Sequence, residues 1–352
     1  MKRMILFVLV CLAGSLHSHG SEPAEAAPAH RVLAFYYNWY GTPAFQKGKW
    51  EHWAECRGCA HDPAKTVEIA SPRDGKKLTV PDTGTTNHPH QLYDSNDPAA
   101  IRRHLKLAEQ AGIDALIVTW WGRGLYHDRA LRLAMDIAAE AKSPVKFTIY
   151  YEQVPRGAAD PVAAVIDDFR YLREQYGSHP SFFRHDNKPV FFAYGRAMGQ
   201  MQPQQWAAAL AGLRSPGPAL VIADGLNPKW LEWFDGLHEY NPVGQILKKT
   251  DMAARYRDTV AACRPRSRIS TATVLPGYDD SNIGRERVTR LGRENGDLYK
   301  RLWQAAIAAN PDWVLLTSFN EWHEGSEIEP SVEWGDQFLN LTADYSKKFK
   351  KK

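Results

Sequence analysis

The chain has little net charge, few cysteines and no long apolar run. Its 44 basic and 40 acidic side chains leave a formal charge of +4, and the excess gathers in Lys347, Lys348, Lys350, Lys351 and Lys352 at the very end. Nucleic-acid binders usually carry a basic stripe within the fold, set to meet phosphates. No nucleic-acid partner is therefore expected, and the lysines read as a solvated, frayed tail. No segment reaches the roughly 18 consecutive apolar residues of a membrane-spanning helix, so stable membrane insertion is not expected either. Neither an internal repeat nor an interdomain linker interrupts the chain. No glycine-rich phosphate loop is present to hold a nucleotide.

The amino-terminus has the pattern of a secretory signal peptide: Lys2 and Arg3, an apolar run from Met4 to Gly14, then the small-x-small triplet Ala24-Glu25-Ala26. Removal of residues 1–26 would leave residues 27–352 as one catalytic domain with a basic tail, secreted or periplasmic. Of the four cysteines, Cys11 falls in the removed run, and Cys56, Cys59 and Cys263 remain. Three is an odd number for a disulfide framework. The Cys56-Arg57-Gly58-Cys59 segment lies between His52 and His61, which invites a zinc reading, but the spacing matches no common finger and an oxidising compartment favours a local bridge or plain thiols. No metal and no cofactor is expected.

What the sequence does have is aromatic rings: 12 Trp, 15 Tyr and 13 Phe. Amphipathic rings at this density suggest the handling of something ring-shaped. They are spread over eight β-rich apolar runs: Val32–Tyr37, Ala115–Trp120, Val145–Tyr151, Pro189–Tyr194, Ala219–Asp224, Gly236–Tyr240, Ile269–Leu275 and Trp313–Phe319. Amphipathic helical stretches alternate with them, over 98–111, 129–141, 161–176, 203–213, 248–263 and 295–309, with a short one at 228–233 and a last one at 337–349. Asp97-Pro98, Asp160-Pro161 and Asn227-Pro228 place an N-cap ahead of a proline in the first turn, and Gly112 stands where a left-handed helix end is needed. Eight continuous apolar strands, each followed by a helix or turn, predict an α/β fold of the closed (β/α)₈ TIM type. An open doubly wound sheet is the alternative. The connection from Asn38 to Pro89 has few regular patterns and is too long for a simple joint, so it reads as an elaborated first βα loop with a functional role.

Barrel enzymes gather their reactive groups where strands end. Here those positions read Phe35-Tyr36-Tyr37-Asn38-Trp39-Tyr40, Thr119-Trp120-Trp121-Gly122, Tyr150-Tyr151-Glu152-Gln153, Glu239-Tyr240-Asn241 and Asn320-Glu321-Trp322-His323-Glu324-Gly325. Trp120 and Trp121 are adjacent and face opposite sides of a strand. Trp121, nearer the loop, is the expected sugar platform. Glu321 and Glu324 fall on one side only if the chain leaves the strand for helix-like geometry. Two carboxylates about one bond can supply the proton and the base that glycoside cleavage requires.

These segments, above all Ser318-Phe319-Asn320-Glu321-Trp322-His323-Glu324-Gly325-Ser326-Glu327-Ile328-Glu329-Pro330, resemble glycoside hydrolase family 99, the endo-α-1,2-mannosidases and mannanases, over about residues 31–349. The resemblance implies a (β/α)₈ barrel that cuts internal α-mannosidic bonds of a mannan or a mannose- or glucose-capped glycan with retention and without a metal; a monomer is expected. It further implies that Glu321 draws the proton from the sugar's own 2-hydroxyl, giving a 1,2-anhydro sugar, while Glu324 is the general acid and then the base. Tyr240 would lie near the reacting sugar, Trp121 would stack on the preceding one, and Glu152 and Asn320 would bond hydroxyls. Tyr37 joins them, with Tyr36 competing for the inward position. Two other readings are a non-catalytic glycan-binding protein and a polysaccharide-processing relative on the same barrel.

Overall fold

A computed structural model describes residues 30–55, 60–215 and 217–352. The expected signal peptide and the Cys56–Cys59 pair lie outside the described residues. Eight parallel strands form the centre: β1 (Arg31–Tyr36), β2 (Ala115–Trp120), β3 (Lys146–Tyr151), β4 (Lys188–Ala193), β5 (Leu220–Asp224), β6 (Gly236–His238), β7 (Thr271–Val274) and β8 (Trp313–Leu316). Their spatial order is β7-β8-β1-β2-β3-β4-β5-β6. A parallel bridge between Gly236 and Ile269 brings β6 against the approach to β7, so the barrel is nearly closed. The doubly wound alternative is excluded by this cyclic order.

Side-chain parity explains why the strands read as unbroken apolar runs. Along β1, Leu33 and Phe35 join an interior cluster with Ile117, Tyr150, Phe192, Ile222 and Leu315. Val32, Ala34 and Tyr36 instead join the layer between sheet and helices, with Leu116, Val118, Trp120, Phe191 and Leu316. Both faces are dry, so every position favours an apolar residue. Phe35 is fully buried, and its truncation to alanine is expected to cost about 3–5 kcal/mol.

Helices α1 (Pro98–Gln110), α2 (Tyr126–Glu140), α3 (Pro161–Leu172), α4 (Pro203–Arg214), α5 (Met252–Cys263), α6 (Asp297–Ala309) and α7 (Gln337–Lys350) follow the amphipathic stretches closely. The three proline joints cap as the sequence suggests: Asp97 accepts from the Ala99 N–H at 2.8 Å, Asp160 from Val162 at 2.9 Å, and Asn227 from Lys229 at 3.1 Å. Gly112 has φ +70° after α1, where a Cβ would meet Ser346 at 3.1 Å.

Two expectations need correction. The first βα loop contains an antiparallel hairpin, Thr66–Ala70 with Lys77–Pro81. The terminal lysines are not a frayed tail, because α7 continues to Lys350 on the strength of buried Phe338, Tyr345 and Phe349. Lys350 Nζ donates to the Gly112 carbonyl at 2.7 Å and to Asp114 at 2.8 Å, which locks the helix end across the chain. Cys263 is a buried free thiol pushed up to about 11 by burial, so it is inert rather than paired.

Candidate active site

The strand ends open into a cavity of about 480 Å³, within the range of small-ligand sites. Its lining includes Trp39, His52, Glu55, Arg285, Glu321 and Glu324. Three connections build it: the elaborated loop after β1, the segment after β7 and the turn after β8. The chain leaves β8 at Leu316 and makes a compact turn over 322–325. That departure from strand geometry is what brings Glu321 and Glu324 to one cavity. Gly325 is at φ +55°, and a Cβ there would meet Thr86 Cγ2 at 2.9 Å, so the turn requires glycine.

The two carboxylates have different surroundings. Glu321 is 3% exposed. Its Oε1 accepts the His323 N–H at 3.2 Å. Burial, reinforced by the negative charge of Glu324, pushes its carboxyl well above the usual range. Glu324 is more open and fully bonded: Tyr240 donates to its Oε2 at 3.0 Å, and Tyr278 and Arg285 donate to its Oε1 at 2.9 and 3.0 Å. Arg285 is held in turn by Asp280 at 2.8 Å. Tyr37 donates to the Tyr240 hydroxyl at 2.7 Å, forming a chain that runs Tyr37, Tyr240, Glu324.

Strand parity settles the tyrosine competition. Tyr37 joins the interior cluster, whereas Tyr36 turns outward, 2.8 Å from His104 Nδ1. The tryptophans divide likewise. Trp120 is buried outside the barrel and donates to Asp128 at 2.8 Å. Trp121 lies at the rim, with its indole N–H on Thr119 Oγ1 at 2.9 Å, and the Thr119 hydroxyl donates to Glu152 at 2.6 Å. One face of the Trp121 ring is covered by the Arg196 guanidinium, 4.7 Å from its centroid. Burial pushes Glu152 up to about 8, against the lowering effects of Thr119 and Arg196 and with the support of Glu321 and Glu324.

Asn320 departs from its expected position. It is wholly buried, and its amide is spent on the Tyr37 N–H and C=O, both at 2.8 Å, and on the Tyr93 hydroxyl at 3.1 Å. It tethers the end of β1 to the Glu321 turn and presents no free group to a sugar.

Several cavity residues were missed in the sequence. Arg285, which lines the cavity, and Tyr278, which donates to Glu324, follow the end of β7, where Leu275-Pro276-Gly277-Tyr278 carries a strand-end ring like those of the other strands. His52 was placed with Cys56 and Cys59, but it stacks on Trp39, with centroids 4.6 Å apart, and lies 3.1 Å from Glu55. His61 instead pairs with Asp82 at 2.7 Å. His323 is held down to about 4 by burial and is neutral near pH 7. Among the described residues no group of three or more His, Cys, Asp or Glu is placed to hold a metal ion.

Residues 28–351 match the model for Glycosyl hydrolase family 99. The chain is 30% identical over 346 residues to the mouse (Mus musculus) glycoprotein endo-alpha-1,2-mannosidase-like protein, covering 88% of this chain and 73% of that relative. It is 27% identical to the mouse glycoprotein endo-alpha-1,2-mannosidase over 373 residues, covering 93% and 77%. The solved GH99 endo-alpha-mannosidase of Bacteroides thetaiotaomicron superposes with a TM-score of 0.74 at 29% identity, over 91% of this chain and 98% of that one.

Proposed function

We propose, on the premise that the chain belongs to glycosyl hydrolase family 99 and is a glycoside hydrolase of the endo-α-1,2-mannosidase type, that it cuts internal α-mannosidic bonds of α-1,2-branched mannan or of mannose- or glucose-capped glycans with retention. The observation that carries this reading is the pairing of two unlike carboxylates on one cavity, Glu321 buried and Glu324 held by three donors.

In the first step the Glu321 carboxylate accepts the proton of the sugar 2-hydroxyl, and O2 attacks the anomeric carbon. The glycosidic C–O bond breaks as Glu324, in its acid form, protonates the leaving oxygen. In the second step Glu324 takes a proton from water, whose oxygen opens the 1,2-anhydro sugar at the anomeric carbon, and Glu321 returns the proton to O2. Two inversions amount to retention. Burial of Glu321 supports its part, because a carboxylate short of solvent is the stronger base. Neither carboxylate bonds to carbon, so the close separation typical of double-displacement enzymes is not required.

Tyr240 and Tyr37 orient Glu324. Trp121 offers its uncovered face to the sugar before the cut, and Glu152, protonated below about pH 8, donates to a hydroxyl. The enzyme is exported and works as a monomer, with Ala27 as the first residue after removal of the leader; amino-terminal sequencing of the exported protein tests that cut. The functional test is substitution: Glu321→Gln and Glu324→Gln, assayed for new reducing ends on yeast-type mannan, should each lose at least about a hundredfold in rate. Undiminished cleavage by either variant would reject the roles. A glycan-binding protein without activity would yield no reducing ends even with the parent chain.

A further inference from the structure

The lysines at the end of the chain belong to a larger asymmetry. Because all eight barrel strands are parallel, the loops that lead into them converge on the end opposite the cavity: residues 30–31, 111–114, 141–146, 177–188, 214–215, 217–220, 233–236, 264–271 and 309–313. Lys350 pins the end of α7 to the same place. Together with residues 347–352, these loops hold fourteen Lys and Arg against four Asp. Fourteen less four is +10 at this end; with +4 for the whole chain, the remainder carries −6.

The few aspartates are already engaged. Asp114 takes Arg31 and Lys350, Asp235 takes Arg214 and Arg268, Asp312 accepts from Ser270, and Asp186 has His185 at 3.7 Å. Among the described residues, Lys142, Lys188, Arg264, Arg266, Lys351 and Lys352 have no carboxylate within 4.0 Å. All but half-buried Lys188 are exposed.

Folding alone does not account for this surface. Helix C-termini point to this end and favour a cation each, which covers Lys142 and Arg264 just beyond α2 and α5. It also covers Lys347, Lys348 and Lys350 in the last turn of α7 and Lys352, which donates to the Ile307 carbonyl at 2.6 Å. It leaves Lys188, at the start of a strand, without a reason, and does not explain why ten net charges gather on one face, where like charges oppose compaction. An uncharged glycan has no use for them. The large exposed apolar side chains, Phe45, Val67, Leu125, Leu247 and Val288, all lie on connections at the cavity end. Among the described residues, the basic end therefore has charge without an apolar wedge for insertion and without exposed rings for stacking bases.

We propose that the basic end of the barrel is an adsorption surface for an anionic phospholipid bilayer, bound through headgroup phosphates, with the cavity facing away from the membrane. Such contact is peripheral and released by salt. The test is co-sedimentation with vesicles of phosphatidylcholine alone and with about a third phosphatidylglycerol, at low and high salt. Binding is expected to the anionic vesicles at low salt only. Each basic group at a bilayer surface is worth about fivefold in partitioning, so the combined change Lys142→Gln, Lys188→Gln, Arg264→Gln and Arg266→Gln should weaken binding at least about tenfold. The matched Arg264→Lys and Arg266→Lys variant should bind like the parent, and hydrolysis of a soluble glycan should be unchanged in both. Equal binding to neutral and anionic vesicles, indifference to salt, a glutamine variant that partitions like the parent, or tighter capture by duplex DNA than by vesicles would overturn the proposal.

Discussion

The chain of hydroxyls from Tyr37 through Tyr240 to Glu324 predicts a coupled loss rather than two independent ones. Tyr240→Phe removes the donor to Glu324 Oε2 (3.0 Å) and also the acceptor of the Tyr37 O–H (2.7 Å). Glu324 becomes charged as it gives its proton to the leaving oxygen, and a hydrogen bond to a charged group contributes about 1.5–3 kcal/mol. If it serves to hold Glu324 on the leaving oxygen, its loss corresponds to about a 10- to 100-fold fall in kcat/KM. The stranded Tyr37 hydroxyl is buried, and an unsatisfied buried donor costs a further 1–3 kcal/mol or so of stability. That is roughly 1.5 °C of Tm for each kcal/mol in a domain of this size. Tyr37→Phe alone should be milder, since Tyr240 keeps its proton on Glu324. In the double variant the stranded donor is gone, so the second substitution should cost almost nothing in stability. The assay is a thermal-melt cycle of the four proteins beside initial rates of reducing-end release. Coupling of about 1 kcal/mol or more is expected, and stability losses that add to within about 0.5 kcal/mol, or a Tyr240→Phe enzyme with parental rate, would refute the reasoning.

Two further outcomes follow from the same geometry. In the unfolded chain Glu152 ionises near 4.5, whereas in the fold it keeps its proton up to about 8. The folded state thus binds more protons between those values, and its stability falls as pH rises through that window, by about a few kcal/mol in all. Glu152→Gln should remove most of that slope, so that parent and variant melt alike near pH 5 and the variant melts higher at pH 9; parallel curves would refute the buried-acid account. Gly325→Ala places a Cβ at φ +55° and 2.9 Å from Thr86. It should cost at least about 1–2 kcal/mol and lower kcat more than it raises KM, because the turn that aligns Glu321 and Glu324 must shift; steady-state kinetics and a melt on one preparation check both.

Much of the barrel was legible because its strands are dry on both faces and its helices are wet on one. Val32–Tyr37 and Ala115–Trp120 could scarcely be anything but buried strands, and the Asp-Pro joints announced their helices. The Thr66–Ala70 hairpin escaped notice because it is short and largely exposed, although its polar-apolar alternation and the Asp74-Gly75 turn carried the signal. The last helix was legible over 337–349 from the spacing of Phe338, Tyr345 and Phe349; what the lysine run hid is that Lys350 bonds Gly112 and Asp114, so the end is docked rather than a tail. At the site, Glu321, Glu324 and Tyr240 were visible as residue types at strand ends. The position of Asn320 was not, because its amide is consumed by a backbone 283 residues away in sequence. Arg285 was equally hidden, since nothing local marks a half-exposed arginine as the partner of a glutamate 39 residues on.

The central claim, retaining endo-hydrolysis through Glu321 and Glu324, is tested most directly by following a mannose-capped and a glucose-capped α-1,3-mannoside by proton NMR from the first minutes of reaction. The account predicts release of the intact capped disaccharide with the α-anomer at its new reducing end before mutarotation, from the parent and not from Glu324→Gln. A β-anomer formed first, stepwise release of monosaccharide, or no cleavage of either compound would contradict it.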